Sequence, residues 1–181
     1  MWPDEAGCAA SAANLARCPA LRDAFLTLEG PLGAGKTTFV RHLLRALGVA
    51  GRIKSPTYAV LEPHEAGSLQ IAHLDFYRFA DPREWEEAGL RDVFARPGLK
   101  LAEWPDRAQG WLPQPDLQLC IEPDPEQELG RRESGDGGVD AQTEQESHPA
   151  RRVLAHALSL RGLELLEALE PVPRPEAANG G

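Results

Sequence analysis

Along this 181-residue chain the hydrophobic positions switch between short solid runs and helical spacing, and that switching predicts the order of the elements. Ala24-Phe25-Leu26-Thr27-Leu28 is a short, mostly apolar run leading into Gly30, which predicts a buried strand. From Lys36 the apolar residues Phe39, Val40, Leu43, Leu44 and Leu47 recur at the spacing of one helix face until Gly48 supplies a stop. An Ala-rich stretch, Ala9–Arg17, predicts a shorter helix ending near Cys18-Pro19. Tyr58–Leu61 and Leu69–Leu74 read as strands separated by a polar turn over His64–Ser68. Asp81-Pro82 predicts a helix N-cap with proline at the first helical position, opening a short acidic helix through Glu87. Further strands are expected at Leu99–Ala102, Leu117–Ile121 and Val153–Leu160, and an amphipathic helix at Arg161–Leu169. Strands alternating with helices predict an α/β fold of the P-loop NTPase-like kind, with a mainly parallel central sheet flanked by helices.

Length and composition narrow this picture. At roughly 100–200 residues per domain, the chain is expected to form one domain over residues 1–181. No apolar run approaches the roughly 18 residues of a membrane span, and Met1–Glu5 has neither the basic nor the apolar region of a secretory leader. The three cysteines, Cys8, Cys18 and Cys120, are odd in number and lack metal-ligand spacing, and the five histidines are scattered. These features exclude membrane, secreted and zinc-module classes and predict a cytoplasmic protein with reduced thiols. The net charge is −9, but Glu122–Glu146 holds nine acidic and two basic residues, so the rest of the chain is close to neutral. That segment is also rich in Gly, Gln, Ser and Pro, so a flexible acidic insertion is expected at about 124–149, with a disordered tail from about 171.

The strongest chemical signal is Gly30-Pro31-Leu32-Gly33-Ala34-Gly35-Lys36-Thr37, which fits G-x-x-x-x-G-K-[ST] between a predicted strand and a predicted helix. Gly30, Gly33 and Gly35 allow backbone conformations that turn successive N–H groups toward phosphate oxygens, and the following helix aims the positive end of its dipole at them. Lys36 would pair with the β- and γ-phosphates, and the Thr37 hydroxyl would complete a magnesium shell. Lysine occurs at only three positions, 36, 54 and 100, and one falls where the motif requires it. Guanine-specific enzymes read the base with Asn-Lys-x-Asp. The only asparagines here, Asn14 and Asn179, are not followed by lysine, so ATP is favoured.

A magnesium-dependent P-loop enzyme also needs a carboxylate at the end of a buried strand, and often a second to orient the attacking water. Asp75 follows Leu69–Leu74 and Glu103 follows Leu99–Ala102. Either alone could be a loop residue or a helix cap. Together they fit the shared rim of a parallel sheet, and which lies nearer the water stays open. Ser55-Pro56-Thr57-Tyr58 reads first as a turn set by Pro56, in the place where switch loops sit; Trp104 and Pro105 suit edge packing equally well.

GPLGAGKTT at Gly30–Thr38, KSPTY at Lys54–Tyr58, HLDFYR at His73–Arg78, Asp81-Pro82 and AEWP at Ala102–Pro105 occur in the order and rough spacing of the TsaE (YjeE) family, which this chain resembles. The likeness covers about Phe25 to Ile121, and Arg151–Leu169 resembles the family's closing strand and helix. It implies an ATPase needed for threonylcarbamoyladenosine formation in tRNA, acting with TsaB and TsaD and meeting tRNA only through that complex. It further implies Asp75 for hydrolysis and Thr37 with Glu103 for Mg2+. Gly30, Gly33, Ala34, Gly35, Lys36, Thr37, Thr38, Ser55, Thr57 and Trp104 would lie around ATP, with Arg152 near the nucleotide. Pro31 stands where the family commonly has aspartate, so a side-chain hydrogen bond is lost while the loop backbone is expected to survive. On the P-loop alone, a small-molecule kinase, with Arg78 and Arg83 as cations, or a non-catalytic nucleotide-binding module is the alternative.

Overall fold

The computed structural model describes residues 1–124 and 150–169; the sequence-predicted acidic insertion, apart from Asp124, and the tail lie outside those residues. Six strands form one sheet: β1 (Phe25–Glu29), β2 (Leu61–Ala66), β3 (Leu69–Asp75), β4 (Leu99–Glu103), β5 (Leu117–Pro123) and β6 (Arg151–Ala157). The order is β2-β3-β4-β1-β5-β6; β3, β4, β1 and β5 run parallel, and β2 and β6 close the edges antiparallel. The sheet is thus mainly parallel, as the alternation of elements predicted. Burial explains which strands are central. β1 is buried from Phe25 to Leu28 and β4 throughout, whereas β6 alternates between half-buried and exposed residues, as an edge does. Pro63 sits in edge strand β2, where a missing N–H is tolerated.

Side-chain alternation sorts the residues onto two faces. Leu26, Leu28, Ile71, Leu99, Leu101 and Leu119 share one cluster with Leu15 of α1 (Glu5–Ala16), Phe39, Val40 and Leu43 of α2 (Lys36–Ala46), and Leu165 at the C-terminal helix. Phe25, Leu74, Phe76 and Ala102 pack on the other face with Phe79, Trp85 and Leu90 from the segment holding α3 (Pro82–Glu87) and α4 (Leu90–Ala95). Each fully buried leucine or phenylalanine contributes about 1.5–3 kcal/mol. His73, Asp75 and Glu103 keep step with Ile71, Leu99 and Leu101, so the polar residues at these strand ends lie on the face that α2 covers.

Several boundaries depart from the pattern. The first helix starts earlier than expected, at Glu5, because Asp4 caps it by accepting from Gly7 N at 2.7 Å. Tyr58–Val60 is not strand. Pro56 O accepts from Ala59 N and Val60 N and winds these residues into a turn, and Val60 has φ +63°. β2 therefore runs from Leu61 straight through His64, and the expected turn shrinks to Gly67-Ser68. The last strand spans Arg151–Ala157, because Ser159 caps the next helix, α5 (Leu160–Leu169), by accepting from Gly162 N at 3.0 Å. α4 is too short for a periodicity to announce it. The acidic helix does open on Asp81, whose side chain forms a capping box with Glu84. Among the described residues, no helix is long and apolar enough to cross a membrane.

α5 approaches the sheet closely at Gly162, where a Cβ atom would lie 1.9 Å from Asp116 O. Gly162→Ala should cost about 1–3 kcal/mol by overpacking. Leu163→Ala, one residue on and half exposed, should stay within about 0.5 kcal/mol of the parent in urea unfolding.

Candidate functional site

Between β1 and α2 the chain makes a loop that only glycine allows at its ends. Gly30 has φ +133°, and a Cβ there would meet Ile121 O at 2.0 Å; Gly35, with φ +104°, begins α2 from the left-handed region. The loop closes on its own lysine. Lys36 Nζ donates to Gly30 O at 2.7 Å and Pro31 O at 2.8 Å, and it lies 3.7 Å from the centre of the Trp104 ring. Pro31 O also accepts from Ala34 N, so the unusual proline leaves the backbone scheme in place. Burial pushes the Lys36 pKa below that of an ordinary lysine, against the opposing pull of the Glu103, Asp75 and Asp106 carboxylates.

Two carboxylates meet this loop because β3 and β4 end in register, Asp75 opposite Glu103, with β1 on the other side of β4. Glu103 is almost fully buried. Its Oε2 accepts from the Thr37 hydroxyl at 2.8 Å, and its Oε1 lies 2.9 Å from His73 Nε2. Asp75 is saturated differently: Oδ2 accepts from the hydroxyls of Ser55 and Thr57, and Oδ1 from Tyr77 N at 2.9 Å. The Ser55–Thr57 segment is therefore tied to Asp75 as well as being a turn set by Pro56. Trp104 holds φ +59°, an uncommon conformation for a bulky residue, and its ring lies 5.0 Å from that of Tyr77 while facing Lys36.

These residues line one cleft of about 420 Å³, within the range of small-ligand sites. Of the residues named from sequence, Gly33, Ala34, Gly35, Lys36, Thr37, Thr38, Ser55, Thr57, Asp75, Glu103 and Trp104 all border it; Gly30 turns the chain beneath them. Among the described residues, no cluster of three His, Cys, Asp or Glu could cage a metal. Mg2+ takes one or two carboxylates and completes its shell with waters and phosphate oxygens, so the test of fit is a carboxylate beside a hydroxyl at the loop. Thr37 and Glu103 are the pair that fits such an ion.

The opposite wall was not legible in the sequence. Trp2, Asp4, Glu5 and Cys8 border the cleft from the start of the chain. Trp2 stacks on Phe39 at 5.1 Å and exchanges backbone hydrogen bonds with Arg151. The Cys8 thiol is pushed up to about 12 by burial and by Glu5, so it stays protonated near neutrality. The arginine at the site is Arg151, not Arg152. Arg151 Nε donates to Ala34 O at 2.8 Å and Nη2 to Gly33 O at 3.2 Å, whereas Arg152 is exposed and does not border the cleft. Side-chain alternation along β6 explains the exchange, since adjacent residues point to opposite faces.

The family described as "Threonylcarbamoyl adenosine biosynthesis protein TsaE" matches residues 2–133. A tRNA threonylcarbamoyladenosine biosynthesis protein TsaE from Haemophilus influenzae is 44% identical over 95 residues, 52% of this chain and 60% of that protein. One from Bacillus subtilis is 42% identical over 96 residues, 53% of this chain and 60% of that protein. The matched segment thus spans less than two thirds of either relative. A crystal structure of Bacillus subtilis YdiB aligns over 92% of this chain and 88% of its own, with a TM-score of 0.61 and 27% identity. With the family match covering well over half its length, this chain belongs to the TsaE family of threonylcarbamoyl adenosine biosynthesis proteins.

Proposed function

We propose that the chain is a cytoplasmic, Mg2+-dependent ATP-binding and ATP-hydrolysing subunit of the machinery that forms threonylcarbamoyladenosine in tRNA. It acts with TsaB and TsaD and reaches tRNA through them. The observation that carries this reading is the contact of Thr37 with Glu103 at 2.8 Å, beside Asp75, in the cleft that holds Lys36.

In this reading the N–H groups of the Gly33–Thr37 turn and the start of α2 bind phosphate oxygens. Lys36 turns from Gly30 O and Pro31 O toward the β- and γ-phosphates, while the Trp104 face limits its swing. Thr37 and Glu103 hold Mg2+, which when bound neutralises charge developing on the phosphate oxygens. Asp75 orients a water whose oxygen attacks the γ-phosphorus as the bond to the β–γ bridging oxygen breaks, giving ADP and phosphate. Ser55 and Thr57, bonded to Asp75, make their loop sensitive to that event. Arg151 braces the carbonyls of Gly33 and Ala34, so its role is to shape the loop.

Three outcomes are expected. Lys36→Ala should weaken ATP binding about 10- to 100-fold, the loss of charge-assisted hydrogen bonds worth about 1.5–3 kcal/mol, in titration with a fluorescent nucleotide. Glu103→Gln and Asp75→Asn should each lower kcat for phosphate release by about 100-fold or more while leaving the protein folded. Release rates within about twofold of the parent for both variants would refute the assignment. Transfer of the γ-phosphate to a metabolite would instead mark a kinase. Loss of hydrolysis in Asp75→Asn with undiminished modification of tRNA by the assembled proteins would mark a binding module.

The pH dependence follows from Lys36. Its pKa lies below 10.5, so its charge is lost at lower pH than that of a free lysine. ATP affinity should therefore fall as pH rises through a window opening below that value. Lys36→Arg, whose guanidinium stays charged above pH ~12, should lack this alkaline limb. Calorimetry with the purified TsaB–TsaD pair tests the partnership directly: micromolar binding is expected, and none would count against it.

A further inference from the structure

Glu103 has two oxygens and, among the described residues, two side-chain partners. Thr37 belongs to the phosphate loop and takes part in whatever that loop does. His73 does not: it lies on β3, in register with Leu101, with no exposed surface. Its Nε2 lies 2.9 Å from Glu103 Oε1, and its Nδ1 has no hydrogen-bond partner among the described residues. The imidazole thus spends its only polar contact on this one carboxylate. An ionised carboxylate can only accept, so the hydrogen between them sits on Nε2. Leaving Nδ1 buried without a partner costs about 1–3 kcal/mol, so packing alone does not account for an imidazole here, whereas a donor for the buried Glu103 Oε1 does. His64 on β2 stacks beside His73, ring centres 6.3 Å apart, and helps set the plane of its ring.

We propose that His73 is the positioning residue for the cation-binding carboxylate. By donating from Nε2 to Oε1, it fixes the side-chain torsions of Glu103 from outside the phosphate loop and leaves Oε2 turned toward Thr37. The inference rests on the Mg2+–ATP reading above and extends it to a residue that would touch neither ion nor nucleotide. Residues that orient a ligating side chain from behind typically change metal affinity or activity about 10- to 100-fold when removed.

Three variants of the full chain separate positioning from mere packing. Gln at this place carries its amide nitrogen about as far out as Nε2, Asn ends near the position of Nδ1, and Leu fills space with no donor. Each is tested by calorimetry with ADP, with and without Mg2+, alongside its melting temperature. His73→Leu and His73→Asn should lose about tenfold of the Mg2+-dependent gain in ADP affinity while metal-free affinity holds within about twofold. Their hydrolysis should fall in kcat more than in KM, and His73→Gln should recover most of both losses. In the parent protein, 15N spectra of histidine should show His73 protonated on Nε2, a readout that does not depend on the variants folding.

An unchanged Mg2+-dependent gain in His73→Leu overturns the proposal. So does His73→Gln behaving no better than Leu at equal melting temperature, a loss that tracks metal-free affinity and melting temperature together, or a ring that carries no proton on Nε2. If the parent itself shows no Mg2+-dependent gain, the Mg2+–ATP reading fails first and this inference fails with it.

Discussion

The parallel register of β3 and β4 is the constraint on which the rest depends. It sets Asp75 opposite Glu103 at the carboxyl ends of adjacent strands, next to the strand that feeds the phosphate loop. A slip of one residue in either strand would turn its carboxylate to the opposite face, which is packed with Phe76 and Trp85. The register is held from both sides, by Leu99, Leu101 and Ile71 under α2 and by Leu74 and Ala102 beneath the aromatic cluster. The polar apparatus is therefore placed by apolar packing that continues directly beneath it.

The two carboxylates have different surroundings, although they end neighbouring strands. Glu103 is buried against an imidazole and one hydroxyl, which fix both of its oxygens. Asp75 takes three donors, two of them from a loop that carries Tyr58 at the surface and one from the backbone of Tyr77. Their chemistry is the same; what differs is that Glu103 is held by His73 of the sheet and Thr37 at the start of α2, whereas every partner of Asp75 lies in a connecting segment.

Much of this was legible in the amino-acid order because its signals are local. The glycines and lysine of the loop, the helix periodicity after Lys36, and the acids after two buried runs all declare themselves within a dozen residues. What escaped depends on chain segments distant in sequence. Trp2 reaches the cleft through a backbone bridge to Arg151, and no spacing rule links residues so far apart. Arg151 and Arg152 could be told apart only once the pleat of β6 was fixed. His73 read as part of a motif, but its bond to Glu103 required the neighbouring strand's register. The edge strand β2 was misplaced because Pro56 gathers the following residues into a turn through its carbonyl, a contact that leaves no trace in hydrophobic pattern.

Lys36 sits in a crowded place: its ammonium is capped by two carbonyls and an indole face, and only 4% of the residue is exposed. Most of its hydration is thus removed when the chain folds, before any anion arrives. On the proposed reading, an incoming phosphate would trade neutral acceptors for charged ones without stripping a shell of water from the cation. The enthalpic gain of that exchange would be correspondingly larger than a solvent-exposed lysine could offer, set against the release of the two loop carbonyls the ammonium now caps.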